Sequence, residues 1–394
     1  MRFLVVGGAG NVGEVVIAYL ARQPDVECVI CGDVNMDRAK MLVKKLGSEK
    51  VEAHYVNAMD EDSIDHAMRD VDVVVTPLPP PSEMLYNVMD AALDWGVHYV
   101  DFASTFPVLI RLFNLHDGWK ETGITAITCM GEDPGMSDLF ARYLTDRMDK
   151  PERIHVRDGA VARGKRVLAT YAPGVFIGEC MSKGLIYEDG EYKRVPPLSG
   201  REVYNFPKFG PQTVYFVPHE EPITIPRGIK KKVRYVDFKL TITDDTMMAL
   251  KALDDLGLLS EEPIEIREGV YISPLEFLLK VIMPPAEAAG HVEGHECIVT
   301  EVIGEDRGKR VKRIMYSYMT HSEAFQKYGV TATAYMTGMP GAVAAYMLAR
   351  GEIKFKGTVV PAQLDPEPIM QRLKENGIYI GCLLYTSPSP RDRG

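Results

Sequence analysis

The first 130 residues alternate short apolar runs with longer segments in which apolar residues recur at helical spacing. The apolar runs predict strands at residues 2–6, 27–33, 51–56, 71–76, 98–101 and 124–129, with helical patterns between them, the first at 11–22. Strands separated by about 10 to 15 helical residues favour crossover connections and a parallel sheet covered on both faces. The pattern therefore predicts an α/β fold with a doubly wound, Rossmann-type domain over residues 1–133.

The pattern changes after residue 133. Alternating runs such as KKVRYVDFKLTI and ECIVTEVIGED predict antiparallel strands, and helical spacing returns at 244–256 and 274–281. We therefore expect an α+β substrate domain with a mainly antiparallel sheet over residues 134–321. A long helix of small residues and a second helix follow over 322–380, and we expect this C-terminal segment to pack back on the first domain.

The last segment, CLLYTSPSPRDRG, is unlike the rest of the chain. It resembles the translated read-through of a sequencing adapter. Like a tag or a fusion scar, such a segment carries no information about the fold. We therefore expect residues 382–394 to be an artefact, and the natural chain to continue differently after about residue 380.

Composition narrows the class of partner. The formal net charge of −10, from 45 basic and 55 acidic residues, disfavours a nucleic-acid surface and favours a small-molecule partner. Apolar runs stay short of the roughly 20 residues of a membrane span, and the N-terminus lacks a signal-peptide pattern, so we expect a cytoplasmic protein without a membrane partner. Six scattered cysteines do not predict a disulfide framework, and Cys28 and Cys31 are expected as buried thiols on opposite faces of one strand.

The stretch GGAGNVG directly after the first strand predicts a dinucleotide site. In one register Gly8, Gly10 and Gly13 form GxGxxG, where Gly8 makes the tight turn, Gly10 admits the pyrophosphate and Gly13 lets the helix pack closely. The phosphates are then expected at the helix N-terminus, at Asn11 and Val12.

A second register, with Gly7 in place of Gly8, is the one favoured by extended short-chain reductases. That chemistry needs a Tyr and a Lys four residues apart on one helical face. Between Tyr204 and Lys208 a proline breaks any helix, while Tyr235 and Lys239 lie in an alternating strand, where four residues span about 13 Å. The first register is therefore favoured.

Residues beyond the glycines complete the predicted cofactor site. Asp33 ends the second strand, where a carboxylate binds ribose hydroxyls and repels the extra phosphate of NADP, so NAD is favoured. Arg38 lies close by, so NADP is possible. Pro77 and Leu78 are expected to line the nicotinamide side, and Asp101 ends the fifth strand at the edge where such sheets bind ligands. A turn-capping role for Asp101 remains equally open.

Several phrases together resemble the saccharopine dehydrogenase family, in particular its lysine 6-dehydrogenase-like members. They are VVGGAGNVG, AALDWGVHYVDFA, EDPGMSDLFARYL, HEEPITIPR and TGMPGAVAAYMLARGEI, in order along nearly the whole chain. The resemblance implies an NAD(P)-dependent oxidoreductase acting on the CH–NH or CH–NH2 bond of an amino acid, such as lysine or a saccharopine-like amine. It also implies a homodimer, with the second domain serving dimerisation as well as substrate binding.

Amine oxidation needs a group that takes and returns a proton. His219 is the first candidate, because its ordinary pKa lies near neutral pH and Glu220 or Glu221 can orient it. Lys208 is the second candidate. A loop-capping role for the HEE sequence and a solvated lysine are the structural alternatives.

A substrate carboxylate favours an arginine fork. Arg157 and Arg227 are the candidates chosen from the second domain, where Arg163 and Arg166 also lie. His291 and His295 are four residues apart but lie among glycines without a third ligand, so no metal site is predicted.

Two other functions stay open. An aspartate-semialdehyde or dihydrodipicolinate type reductase shares the two-domain plan, and Cys180 is the one plausible thiol for it. A non-catalytic NAD-binding protein would bind the dinucleotide without turnover.

Overall fold

The computed structural model of the protein describes residues 1–79, 81–102 and 105–386. Its first sheet has seven strands, all parallel. They are β1 Arg2–Val6, β2 Cys28–Asp33, β3 Val51–Tyr55, β4 Val73–Thr76, β5 His98–Asp101, β6 Thr125–Ile127 and, from far along the chain, β18 Gly357–Val359. The order β18-β6-β5-β4-β1-β2-β3 is the doubly wound order with one strand added at the edge.

Helices cover both faces of this sheet. Those of the first domain are α1 Asn11–Ala21, α2 Met36–Leu46, α3 Glu61–Ala67, α4 Ser82–Trp95, α5 Phe106–Asn114 and α6 His116–Glu121. Because strand side chains alternate between faces, two separate apolar clusters form. Cys31 lies in one cluster and Cys28 in the other, both as buried free thiols, as the alternation predicted.

The second sheet has ten strands and is mainly antiparallel, which confirms the predicted fold class. The strands are β7 Lys150–Asp158, β8 Val161–Arg163, β9 Gly184–Glu188, β10 Glu191–Val195, β11 Glu202–Phe206, β12 Gly210–Phe216, β13 Tyr235–Thr241, β16 Glu293–Asp306, β17 Lys309–Thr320 and β19 Gly381–Thr386. The central path runs β10-β9-β13-β7-β16-β17-β19, and β13 and β7 are parallel neighbours. A separate hairpin pairs β14 Ile264–Arg267 with β15 Val270–Ile272.

The remaining helices pack around this sheet and between the domains. They are α7 Met136–Asp146, α8 Pro173–Met181, α9 Glu221–Gly228, α10 Asp244–Asp255, α11 Pro274–Val281, α12 Pro285–Ala288, α13 His321–Tyr328, α14 Ala332–Ala349 and α15 Pro366–Glu375, with a 3-10 turn at Pro361–Gln363. Neither Tyr–Lys pair of the rejected register lies on a helix, because Tyr204 and Tyr235 are in strands β11 and β13.

The C-terminal segment returns to the first domain through α14 and β18. Helix α14 packs on α1 so closely that a Cβ added at Gly338 would lie 2.8 Å from Val15 Cβ and 2.9 Å from the Val12 carbonyl oxygen. Small residues along α14 are therefore needed for this approach, since the helix is buried nearly all round.

The segment expected to be an artefact begins inside a strand. Residues up to Thr386 pair with β17 as β19, and residues 387–394 lie outside the described residues. None of the helices within the described ranges is long and apolar enough to cross a membrane.

Candidate active site

A cleft of about 1000 Å³ lies between the carboxyl edge of the first sheet and the second domain. Loops that follow β1, β4, β5 and β6 line it from the first domain. This edge is where doubly wound sheets bind their ligands. The second domain contributes side chains from β7, α8 and β13, and from the loop before α9.

The glycine loop forms the nucleotide end of the cleft. The N–H groups of Gly7 and Gly8 both donate to the Gly32 carbonyl, at 2.8 and 3.0 Å. The Gly10 N–H donates to the Gly7 carbonyl at 3.1 Å, so Gly8 lies inside the tight turn as expected, and Gly7, with a φ of +84°, is its left-handed residue. Gly8 is also required by packing, because an added Cβ would lie 3.0 Å from Cys31 Sγ and 2.9 Å from the Val5 carbonyl oxygen.

The start of α1 fits a pyrophosphate. Gly10 is the N-cap residue and makes no side-chain capping bond, so the first N–H groups of the helix are available for an anion. Gly10, Asn11 and Val12 line the cleft. A Cβ on Gly13 would lie 2.5 Å from the Gly7 carbonyl oxygen, so only glycine lets the helix approach the loop this closely.

Asp33 and Arg38 flank the expected ribose position. Asp33 Oδ2 accepts from the Ala9 N–H at 3.1 Å, and Oδ1 accepts from the Asn35 N–H at 2.9 Å. Both oxygens therefore already tie the end of β2 to the glycine loop and to the start of α2. Arg38, in the first turn of α2, lines the cleft.

Pro77 and Leu78 line the cleft beside the glycine loop, and a Cβ on Gly7 would lie 2.9 Å from Leu78 Cδ2. Asp101 is fully buried and lies outside the cleft lining. Its Oδ1 accepts from Thr128 Oγ1 at 2.8 Å and from the Cys129 N–H at 3.0 Å. The cofactor role expected for Asp101 is therefore replaced by the turn-holding role.

His219 lies in the cleft opposite the nucleotide loop and is held on two sides. Its ring stacks on Phe238, with centroids 3.8 Å apart and 8° between the planes. Its Nδ1 contacts Glu221 Oε2, and Glu221 is fully buried and accepts from Ser137 Oγ at 2.9 Å. Of the two candidates, Glu221 therefore orients His219, whereas Glu220 lies 3.9 Å from Nδ1 and lines the cleft as a separate carboxyl.

The charge state of His219 follows from these neighbours. Burial lowers the pKa of His219, but the carboxylates of Glu221, Glu220 and Glu179 outweigh burial and raise it to about 10. The imidazole is therefore protonated at neutral pH in the free protein and is set up to donate a proton.

Three other sequence candidates lie outside the cleft lining. Lys208 is in the β11–β12 turn, with φ +75° and its Nζ 5.5 Å from the centre of the Tyr318 ring. Arg157 Nη1 donates to Asp237 Oδ1 at 2.8 Å inside the second domain. Arg227 is exposed and stacks 3.9 Å over the Phe113 ring. The structure does not bring these three together with His219.

Other charged side chains line the cleft, and the sequence reasoning missed most of them, Glu220 and Arg38 excepted. The acidic ones are Glu132, Asp133, Asp158, Glu179, Glu220 and Glu296, and the basic ones besides His219 are Arg38, Lys183 and Arg194. Burial is the largest cause that raises the pKa of Asp158 and Glu179 to about 7 and that of Glu296 to about 8. The cleft is therefore rich in carboxyl groups, several of which keep a proton near neutral pH.

Local structure explains two of these placements. In GEDPGM the Gly131 N–H donates to the Pro134 carbonyl at 2.8 Å, and Gly135 has φ +137°, which closes a tight loop after β6. This loop presents Glu132 and Asp133 to the cleft. The position of GEDPGM after a predicted parallel strand could have indicated that its acidic residues line the cleft. No sequence pattern indicated the same for Glu179 or Glu296.

The alternative chemistries gain no support from this geometry. Cys180 is buried in α8 outside the cleft lining, and burial raises the pKa of its thiol. His295 stacks on Phe209 and bonds to Gln212. Within residues 1–79, 81–102 and 105–386, no three His, Cys, Asp or Glu side chains converge as metal ligands.

Comparisons with known proteins cover nearly the whole chain. The family model of the saccharopine dehydrogenase NADP binding domain matches residues 3–127, and that of the saccharopine dehydrogenase C-terminal domain matches residues 131–378. Among solved structures, apo saccharopine dehydrogenase (L-Glu forming) from Saccharomyces cerevisiae superposes with a TM-score of 0.73 at 18% identity, over 98% of this chain and 99% of that one. The two proteins therefore share their fold.

Two relatives that align with nearly the whole chain have names other than saccharopine dehydrogenase. Carboxyaminopropylagmatine dehydrogenase from Synechocystis sp. is 27% identical over 388 residues, covering 96% of each chain. Carboxynorspermidine synthase from Vibrio cholerae is 29% identical over 399 residues, covering 94% of each chain.

Proposed function

The chain belongs to the saccharopine dehydrogenase family of NAD(P)-dependent oxidoreductases that act on amino compounds, and from this premise we propose that it acts on a carboxylated polyamine. The reaction proposed is hydride transfer at the C–N bond of a secondary amine that carries an amino-acid group and at least one further basic group. Carboxynorspermidine and carboxyaminopropylagmatine, named in two relatives, are compounds of this kind.

The observation that carries the proposal is the charge of the cleft. Six carboxyl side chains line it against three basic side chains and His219. Saccharopine has more carboxylates than amino groups, and the lining offers those carboxylates fewer basic partners than it offers carboxyl partners to amino groups. A polyamine with one carboxylate matches this lining, because its several cations can pair with the carboxyl groups.

The start of α1, from Gly10 to Val12, would hold the pyrophosphate, and Pro77 and Leu78 would line the nicotinamide end. When bound, the dinucleotide takes or supplies the hydride at the carbon of the C–N bond. We propose NADP as the preferred form, since Asp33 already accepts two backbone N–H bonds and Arg38 lines the cleft where a 2′-phosphate can pair with it.

His219 is the proposed acid and base. In the reductive direction protonated His219 donates a proton to the imine nitrogen while the carbon gains the hydride, which yields the secondary amine. In the oxidative direction the carbon loses the hydride, the nitrogen loses its proton to neutral His219, and water then splits the C=N bond into a carbonyl and an amine. Glu221 positions the ring and stabilises its charge.

Lys183 and Arg194 replace Arg157 and Arg227 as the proposed partners of the substrate carboxylate. Both line the cleft and both are exposed at its mouth. The Arg194 guanidinium lies 4.7 Å over the Phe106 ring of the first domain, so the group stands where the two domains meet.

Product analysis tests the proposal. The protein is incubated at alkaline pH with NAD or NADP and one of four amines: carboxynorspermidine, carboxyaminopropylagmatine, saccharopine or lysine. Any carbonyl product is trapped with a hydrazine and identified by mass spectrometry. We expect equal amounts of reduced dinucleotide and carbonyl from the polyamines, and a loss of about 100-fold or more in kcat for His219→Gln with unchanged NADP affinity. Bound dinucleotide without oxidation of any amine would rule the proposal out and leave a non-catalytic protein.

A further inference from the structure

We propose that four carboxyl side chains of the cleft bind a second, non-reacting cation of the substrate, a primary ammonium or guanidinium group. The four residues, here called the acidic subsite, are Glu132, Asp133, Asp158 and Glu296. The inference rests on the proposed function, because it assigns the part of the cleft that the proton transfer at His219 does not use.

The fold brings the acidic subsite together from distant parts of the chain. Glu132 and Asp133 come from the tight loop after β6 of the first domain. Asp158 ends β7, and the register of the second sheet pairs it with Ile298 of β16. Glu296 precedes Ile298 by two residues and therefore lies on the same face of the sheet as Asp158.

Two of these side chains have a buried oxygen atom that lacks a hydrogen-bond donor among the described residues. Glu132 is 3% exposed and Asp158 is 8% exposed, and both line the cleft. Within the described part of the chain, Glu132 Oε1 and Asp158 Oδ1 accept no hydrogen bond. Buried acceptors are nearly always satisfied in folded proteins, so these two atoms indicate a ligand that donates hydrogen bonds.

The other contacts that hold the subsite in shape come from hydroxyl groups. Thr170 Oγ1 donates to Glu296 Oε1 at 3.3 Å, and Thr333 Oγ1 donates to the same oxygen, which leaves Oε2 outside these contacts. The hydroxyl groups fix the carboxyl but bring no positive charge.

Chemistry selects the ligand. An ammonium has three N–H donors and a guanidinium has five, and neither accepts, so each can satisfy several carboxyl oxygens at once. An anionic group in the same place would be repelled, and a neutral hydroxyl would supply a single donor and leave the other acceptors unpaired. The acidic subsite therefore selects substrates that carry a second cation remote from the reacting nitrogen.

Binding without turnover tests this inference. Protein saturated with NADP is titrated calorimetrically with norspermidine, and with propylamine as a probe that has a single ammonium. We expect norspermidine to bind at least about 10-fold more tightly than propylamine. We expect Glu296→Gln to weaken norspermidine binding by about 10-fold or more while the affinity for NADP stays unchanged.

Two further variants test whether norspermidine binds at the acidic subsite. Glu293→Gln changes an exposed carboxyl on the same strand and should leave norspermidine binding unchanged, whereas Asp158→Asn should weaken it as Glu296→Gln does. Equal affinity for the two amines, or full norspermidine affinity in both subsite variants, would overturn the inference. Displacement of norspermidine by Mn²⁺ at equal concentration would also overturn it, by showing a metal site. Because no turnover is needed, loss of binding in the variants still supports the subsite if the proposed oxidation fails.

Discussion

At the scale of single residues, the proposed proton transfer depends on the contact between His219 Nδ1 and Glu221. Burial alone lowers the pKa of His219, and the neighbouring carboxylates, Glu221 first, raise it to about 10. Oxidation needs neutral His219, so we expect the oxidative kcat to rise with pH up to about 10. Reduction needs the protonated ring, so the reductive kcat should fall over the same range.

Replacing Glu221 by Gln removes the largest raising effect and leaves burial. We expect the rising limb of the oxidative pH profile to move to lower pH by at least one unit, about a tenfold change in proton affinity. The Glu220→Gln variant is the matched control and should move it less, since Glu220 is 3.9 Å from Nδ1. An unchanged profile in Glu221→Gln would remove His219 from the proton transfer.

At the same scale, Arg38 is the residue that we propose to favour NADP over NAD. We expect Arg38→Ala to weaken NADPH binding by about 10-fold, the value of one charge-assisted contact, and to leave NADH binding nearly unchanged. Fluorescence titration of the two dinucleotides measures both constants. Equal losses for NADH and NADPH would show that Arg38 does not bind the 2′-phosphate.

At the scale of elements, a buried ion pair joins the parallel strands β7 and β13 of the second sheet. Asp237 accepts from Arg157 Nη1 at 2.8 Å and contacts His155 Nδ1 at 2.8 Å. Burial raises the pKa of Asp237, but Arg157 and His155 outweigh burial and hold it well below its usual range. A carboxyl with a lowered pKa in the folded state stabilises the fold above its unfolded pKa of about 4, and this stabilisation is lost as pH falls below that value.

We therefore expect Asp237→Asn to lower the free energy of unfolding by about 3 kcal/mol near neutral pH, because buried Arg157 loses one of its two carboxylate partners and keeps only the partly exposed Glu202. The difference from the unaltered protein should shrink below about pH 4. Urea unfolding at several pH values measures it. Asp255→Asn, in an exposed pair with Lys251, is the control and should change little, and a similar loss in both variants would contradict this role of the buried pair.

Elements that are local in sequence could be predicted, and those that depend on distant contacts could not. The strands β1 and β5 and helix α11 have the predicted bounds, because periodicity over a few residues defines them. Strand β18 was not predicted, because its three residues carry no period and gain their strand form from pairing with β6. Strand β19, which pairs with β17, was not predicted because residues 382–394 were expected to be an artefact.

The residues of the site also divide into those that a local sequence pattern predicts and those that it does not. Gly10, Asn11 and Val12 come shortly after one strand, so their place at the edge of the cleft could be predicted from adjacent residues. Asp158 and Glu296 meet only through the register of β7 and β16, which no local pattern specifies. Arg157 was chosen as an arginine of the right domain, but its strand register directs it to Asp237.

At the scale of the whole molecule, the cleft mouth joins the two domains through Arg194 and Phe106. We expect Arg194→Ala to raise KM for a carboxylated polyamine by about 10-fold with little change in kcat, because a carboxylate contact outside the reacting bond is lost. Arg227→Ala should change neither constant, since Arg227 stacks on Phe113 outside the cleft. Matching effects of the two substitutions would contradict this assignment of the mouth.

The molecule as a whole brings the glycine loop, the proposed acid–base residue His219 and a carboxyl-rich lining together in one cleft. The ratio of kcat/KM for carboxynorspermidine to that for saccharopine, measured with NADP in the oxidative direction, tests this combination most directly. The account predicts a ratio of about 10 or more, since saccharopine brings carboxylates to a carboxyl-rich pocket and pairs fewer cations there. A ratio below one would contradict it.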